Sequence, residues 1–198
     1  MAIMTDAELN VAVAHASSLV QGIHDYCGRK LRADAKIKFP RGMIGTANSY
    51  RERCPAYLNR DQISSCAYGF MFLDVLWWLA SRTDIASVGK QMTLKSAIVT
   101  LGTILEVSLH VPGLPKNSVL SAKNGAGVQP RLKKAEEEGW ITKEQCATLK
   151  QLWLHRNNVH IKILAQSELD LYESKHVNEP YAALLVLMAK LKEWNGGA

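Results

Sequence analysis

Ten consecutive residues, Phe70-Met71-Phe72-Leu73-Asp74-Val75-Leu76-Trp77-Trp78-Leu79, are apolar except for Asp74. They lie inside a run from about Arg60 to Arg82 that Asn59 and Gln62 can open as a capping box. A helix that is apolar nearly all round has to be covered on most of its circumference. It is therefore expected at the centre of a bundle or in a subunit interface. Asp74 then either reaches the surface on a narrow polar stripe or pairs with a buried cation such as Arg156.

The rest of the chain repeats the helical period. Thr5 and Glu8 form another box signal, after which Leu9, Val13, Ala16, Val20, Ile23 and Cys27 recur at spacings of three and four, predicting a first helix that ends near Leu31. Leu94, Ile98, Leu101, Leu105 and Leu109 mark one from about Gln91 to His110. Pro112, Gly113 and Pro115 end it, and a shorter helix spans about Val128 to Glu138. Thr142 and Gln145 cap a long run to about Gln166, and Asn178 with Pro180 opens the last helix, Tyr181 to Trp194. Strand signals are nearly absent. The 198 residues, 47% of them hydrophobic, suffice for one buried core without disulfides or metal. The expected fold is all-α, a single domain over residues 1–198 built as a bundle of four or five long helices.

One segment breaks this pattern. From about 32 to 58, Pro40, Gly42, Gly45 and Pro55 punctuate the chain, predicting an ordered excursion with short helical turns. Charge concentrates there. Cys27 to Arg60 holds nine basic residues against Asp34 and Glu52, a local +7 in a chain whose net charge is +6. Such a field attracts a polyanion through phosphate contacts and counterion release. Arg29, Lys30, Lys36, Lys38, Arg41, Arg51 and Arg53 are the candidate RNA-binding residues, and the other reading is a solvated basic loop. Tyr50 and Tyr57 either stack on unpaired bases or pack inside.

Cys27, Cys54, Cys66 and Cys146 show no metal spacing, so no metal site and no cofactor are expected. No apolar run approaches the length of a membrane span, and the chain reads as soluble and cytoplasmic.

The chemistry-bearing stretch is Arg156-Asn157-Asn158-Val159-His160. On a helix continuing to Gln166, Arg156 and His160 lie one turn apart on the face of Leu149, Leu152, Trp153 and Ile163. A permanent cation and an imidazole on an apolar face need partners. They either bridge packed helices or form an anion site in a groove. Glu106 is a supporting candidate that can orient His160 or pair with Arg156. His155 points elsewhere on the helix and is held in reserve.

This stretch, late in a helical chain, resembles the motif of the HEPN superfamily, and the resemblance extends over Leu94 to Leu109 and Val128 to Trp194. Two departures stand out. Arg156 and His160 have three residues between them where many nuclease members have four to six, and Lys162 stands where some carry Tyr. The resemblance implies a HEPN-like bundle with an N-terminal basic insertion, acting as a metal-independent endoribonuclease on RNA, with Arg156, His160 and Asn157 as catalytic residues. It also implies a homodimer with the motif at the interface. A toxin or antiviral defence role, restrained by a protein or nucleotidyltransferase-type antitoxin partner, belongs to the same expectation. A catalytically silent HEPN dimer that binds RNA or protein is the alternative, and a DNA-binding regulator is a distant third for want of a basic recognition helix.

Overall fold

The computed structural model describes residues 2–110, 127–159 and 171–194, all-helical with no strand among them. The chain divides into two compact units, Met1–Pro40 and Arg41–Ala198.

The first unit is built on α1 (Asp6–Cys27). Thr5 caps it by accepting the Glu8 N–H at 3.2 Å, but the Glu8 carboxylate takes the N–H of Met4 at 2.8 Å rather than that of Thr5. The helix stops at Cys27, short of the expected Leu31, because Gly28 adopts φ 56°, a conformation open to glycine that ends the helical run. No residue of α1 is buried, so Leu9, Val13, Val20 and Ile23 remain exposed. Beyond it, Arg32 pairs with Asp34 at 2.6 Å and lies over the Tyr26 ring at 5.6 Å, holding a 3-10 turn at Ala33–Ala35.

The second unit comprises α2 (Ala47–Arg51), α3 (Arg60–Arg82), α4 (Ser87–Leu109), α5 (Val128–Glu137), α6 (Lys143–Asn157) and α7 (Lys175–Trp194). Both reciprocal hydrogen bonds of the capping box are present at Asn59–Gln62 and at Thr142–Gln145. The central helix is α4, which packs against α3, α5, α6 and α7. Leu94, Ile98, Leu101, Leu105 and Leu109 are buried as expected, joined by Ala97, Gly102, Ile104 and Ser108. By contrast α3 buries Cys66, Ala67, Phe70, Leu73 and Leu76 while Tyr68, Phe72 and Trp77 face outward. The helix expected to be central is thus covered on one side within this unit.

Both α3 and α4 contain an 18-residue window of mean hydropathy 1.4, long and apolar enough to cross a membrane. That corrects the expectation that no run approaches such a length. In α4 most of the window is consumed by the core, where a bundle helix needs apolar side chains as a membrane helix does.

The irregular segment is partly core. Tyr50, Cys54 and Leu58 are buried and α2 packs on α3. Tyr57 donates to the Ser108 carbonyl at 2.5 Å, and Arg131 donates to the Leu109 carbonyl, so both satisfy the C-terminal carbonyls of α4. Burial pushes the Tyr57 hydroxyl well above its usual pKa, which keeps it a donor.

The last helix begins at Lys175, so Pro180 lies inside it rather than in its first turn. What sets the start is Gln91: its amide donates to the Tyr172 carbonyl at 3.1 Å and accepts the Tyr172 N–H at 2.9 Å, both buried. Earlier helix formation lets Val177 and Pro180 pack against the core, which outweighs the backbone bond that proline removes.

Replacing Leu105, fully buried in α4, by Ala is expected to cost about 2–5 kcal/mol in urea unfolding. Leu154→Ala, on the exposed side of α6, is expected to change stability by no more than about 0.5 kcal/mol.

Candidate functional site

Arg156 occupies the last turn of α6, where the negative end of the helix dipole favours a cation. Its aliphatic stem lies against α4 at Gly102. A Cβ built on Gly102 would stand 2.6 Å from the Arg156 Cγ and 2.8 Å from its Cβ, so the two helices approach there only because the glycine has no side chain.

The guanidinium is fixed on three sides. One Nη donates to Glu106 at 3.0 Å, the other donates to the Asn157 Oδ1 at 3.1 Å, and the cation lies 4.8 Å from the centroid of the Trp153 ring. Trp153 and Arg156 are neighbours on one face of α6, while Glu106 comes from α4 one turn beyond Gly102. With side-chain exposures of 31% for Arg156 and 46% for Glu106, the ion pair contributes at most about 1 kcal/mol to stability. Its effect is to orient the guanidinium. Further N–H donors of the fork stay available for an anion.

Of the alternatives for the two acids, Glu106 pairs with Arg156. Asp74 instead accepts a hydrogen bond from the Tyr50 hydroxyl and forms no ion pair with any described residue. It lines a cleft on the opposite face of α4 from Gly102 and Glu106.

The helix itself is shorter than its expected extent to Gln166. It closes at Asn157, and the Asn158 N–H turns back to the carbonyls of Leu154 and His155 at 3.0 and 3.1 Å. Paired asparagines favour such an ending because their side chains compete for backbone hydrogen bonds. Helical phase along α6 therefore carries no information about His160, which lies outside the described residues together with Lys162 and Ile163.

The basic candidates divide between the two units. Arg29, Lys30, Lys36 and Lys38 are exposed in the first; Arg41 is exposed in the second. Arg51 and Arg53 have intramolecular duties. Arg51 donates to Asn48 at 2.9 Å and lies over Tyr68 at 6.0 Å, and Arg53 stacks over Tyr50 at 4.8 Å and Phe70 at 5.8 Å. Of the two base-stacking candidates, Tyr50 is buried against Phe70 and Tyr57 packs edge-on to Trp194 at 5.7 Å, so both serve the core.

One cluster carried no sequence signal. His155 on α6 meets His176 on α7 with ring centroids 4.9 Å apart, in a cleft also lined by Gln151, Lys175 and Glu179. Gln151 lies 3.2 Å from the His155 Nε2, and the His176 Nδ1 accepts the Glu173 N–H at 3.1 Å. Burial, and secondarily the facing His176, hold the His155 pKa below the usual 6.5. Among the described residues no three His, Cys, Asp or Glu side chains converge as a metal site.

Comparison of the chain with family models, curated proteins and solved structures finds no match.

Gly102→Ala gains up to about 1 kcal/mol of helix propensity, but relieving contacts under 3 Å with the Arg156 stem costs about 1–3 kcal/mol. Net destabilisation in thermal unfolding is the expected result. Protonation of His155 supplies a second test. Because its folded-state pKa is lowered, the unfolded chain binds that proton first as pH falls below 6.5. The contribution of the neutral imidazole to stability is full above that value and is lost toward the folded-state pKa. Between about pH 7.5 and 5.5, His155→Gln should therefore lose less thermal stability than the unsubstituted chain.

Proposed function

We propose that this chain is a HEPN-type, metal-independent endoribonuclease in which Arg156 binds the scissile phosphate and His160 moves the proton. The observation that carries the reading is the Arg156 guanidinium: stacked on Trp153, tied to Asn157 and Glu106, on a side chain still 31% exposed, four positions before the histidine of the motif in sequence. A cation held at one orientation and open to solvent suits a phosphate, which it can grip through two N–H groups.

In the proposed reaction the His160 imidazole takes the proton of a ribose 2′-hydroxyl, and the 2′-oxygen attacks the adjacent phosphorus. The bond from phosphorus to the 5′-oxygen breaks, leaving a 2′,3′-cyclic phosphate and a 5′-hydroxyl. The leaving oxygen needs a proton at the same time, and a second imidazole, brought by a second copy of the chain in a two-fold dimer, supplies it. Arg156 stabilises the charge gathering on the nonbridging oxygens. Asn157 positions the guanidinium through their hydrogen bond. Exposed Arg29, Lys30, Lys36, Lys38 and Arg41 guide the RNA by phosphate attraction. A toxin or defence role would fit this activity, with a protein antitoxin as its restraint.

One observation favours the alternative, a catalytically silent HEPN dimer that binds RNA or protein. Glu106 already occupies part of the Arg156 fork, and RNA has to compete with it.

The deciding experiment is incubation of labelled tRNA with the purified chain in excess EDTA, with analysis of the product ends. The unsubstituted protein is expected to give 2′,3′-cyclic phosphate ends, and His160→Ala and Arg156→Ala to cut at least about 100-fold more slowly while remaining folded. Salt-sensitive RNA binding without any cleavage would support the silent module, and equal cleavage by all three proteins would overturn the assignment.

A further inference from the structure

A cleft of about 430 Å³ opens between α3, α4 and the first turns of α7, within the size range of small-molecule sites. Its walls are mainly apolar, with Leu73, Leu76, Leu94 and Val177 beside the aromatic rings of Trp77 and Tyr181. Into this lining the half-buried Asp74 brings a carboxylate.

Asp74 is incompletely compensated. Its Oδ2 accepts from the Tyr50 hydroxyl, and the Tyr50 oxygen in turn accepts the Gly45 N–H at 2.8 Å. This chain of bonds fixes the carboxylate but brings it no positive charge. Two arginines stand near the same residues and are engaged elsewhere: Arg53 stacks on Tyr50 and reaches the Tyr181 hydroxyl at 3.5 Å, and Arg82 lies over the Trp77 ring at 5.3 Å. Neither forms an ion pair with Asp74, nor does any other described residue. A carboxylate in an apolar wall is costly without a counter-ion. A cation on an apolar body would supply the missing charge, fill the cleft and meet aromatic surface that attracts cations.

We infer that this cleft binds a small organic cation, an amine or quaternary ammonium carried on an apolar or aromatic body, with Asp74 as its counter-ion. The inference is independent of the ribonuclease reading, because the cleft and Arg156 lie on opposite faces of α4.

The test is calorimetric titration of the full chain with tryptamine and with its neutral counterpart tryptophol, and in parallel with phenethylamine and benzyltrimethylammonium. Tryptamine is expected to bind at least about tenfold more tightly than tryptophol. Asp74→Asn preserves the shape and the acceptor for Tyr50, and should bring the two affinities together. Ala80→Lys, at an exposed position of the cleft wall, brings an ammonium to the same cleft and should also abolish the preference, without any change to the core. Equal binding of amine and alcohol by the unsubstituted chain would overturn the inference. So would an amine preference that survives both substitutions, or no saturable binding of any of the three cations up to about 1 mM.

Discussion

A helix covered by neighbours on most sides can be approached closely only where its own side chains are small or its neighbour's fit between them. That constraint acts on α4. Its large residues Leu101, Leu105 and Leu109 fill the space among α3, α5, α6 and α7, while Gly102 lets α6 come near enough for the Arg156 stem to lie against backbone. Polar groups at the two ends of this buried helix find partners in its surroundings. Gln91 closes two hydrogen bonds with Tyr172 at one end, and Tyr57 and Arg131 satisfy carbonyls at the other. Helix starts, crossing points and the position of α7 all depend on how α4 is covered.

The arrangement around Arg156 follows from the same contact. Once the stem is seated on Gly102, the guanidinium emerges between Trp153 and Glu106, and Asn157 completes its hydrogen bonding. Burial of the methylene stem with exposure of the charged end is a common use of arginine. Its planar fork gives that placement a direction, which a lysine would lack. The result is an oriented cation at the rim of the bundle rather than a charge buried within it. His155, the neighbouring residue in the chain, faces another helix altogether and meets His176.

The aromatic and acidic residues of α3 divide along similar lines. Phe70 lies in the core with Tyr50 and Tyr181 around it, whereas Phe72 and Trp77 remain accessible. Asp74, between these two faces, accepts a hydrogen bond from a tyrosine of the irregular segment. That segment thus has a structural purpose that its glycines and prolines conceal: it carries Tyr50, Cys54, Tyr57 and Leu58 into contact with α3 and α4.

Much of the fold was legible because helix formation is a local matter. The repeat of apolar residues at three and four, the Asn59–Gln62 and Thr142–Gln145 boxes, and the core side of α4 depend on neighbours in the chain, and the sequence by itself determined them along with the all-α class. It also marked Arg156 and Asn157 as residues of interest. What only the tertiary structure decided was which faces meet. That α4 rather than α3 is central, that Glu106 rather than Asp74 holds Arg156, that Gln91 sets the start of α7, and that His155 meets His176 all depend on contacts between residues distant in sequence. A helical period shows which side chains share a face. It does not contain the identity of the face opposite, because that choice is made by the packing of the whole unit.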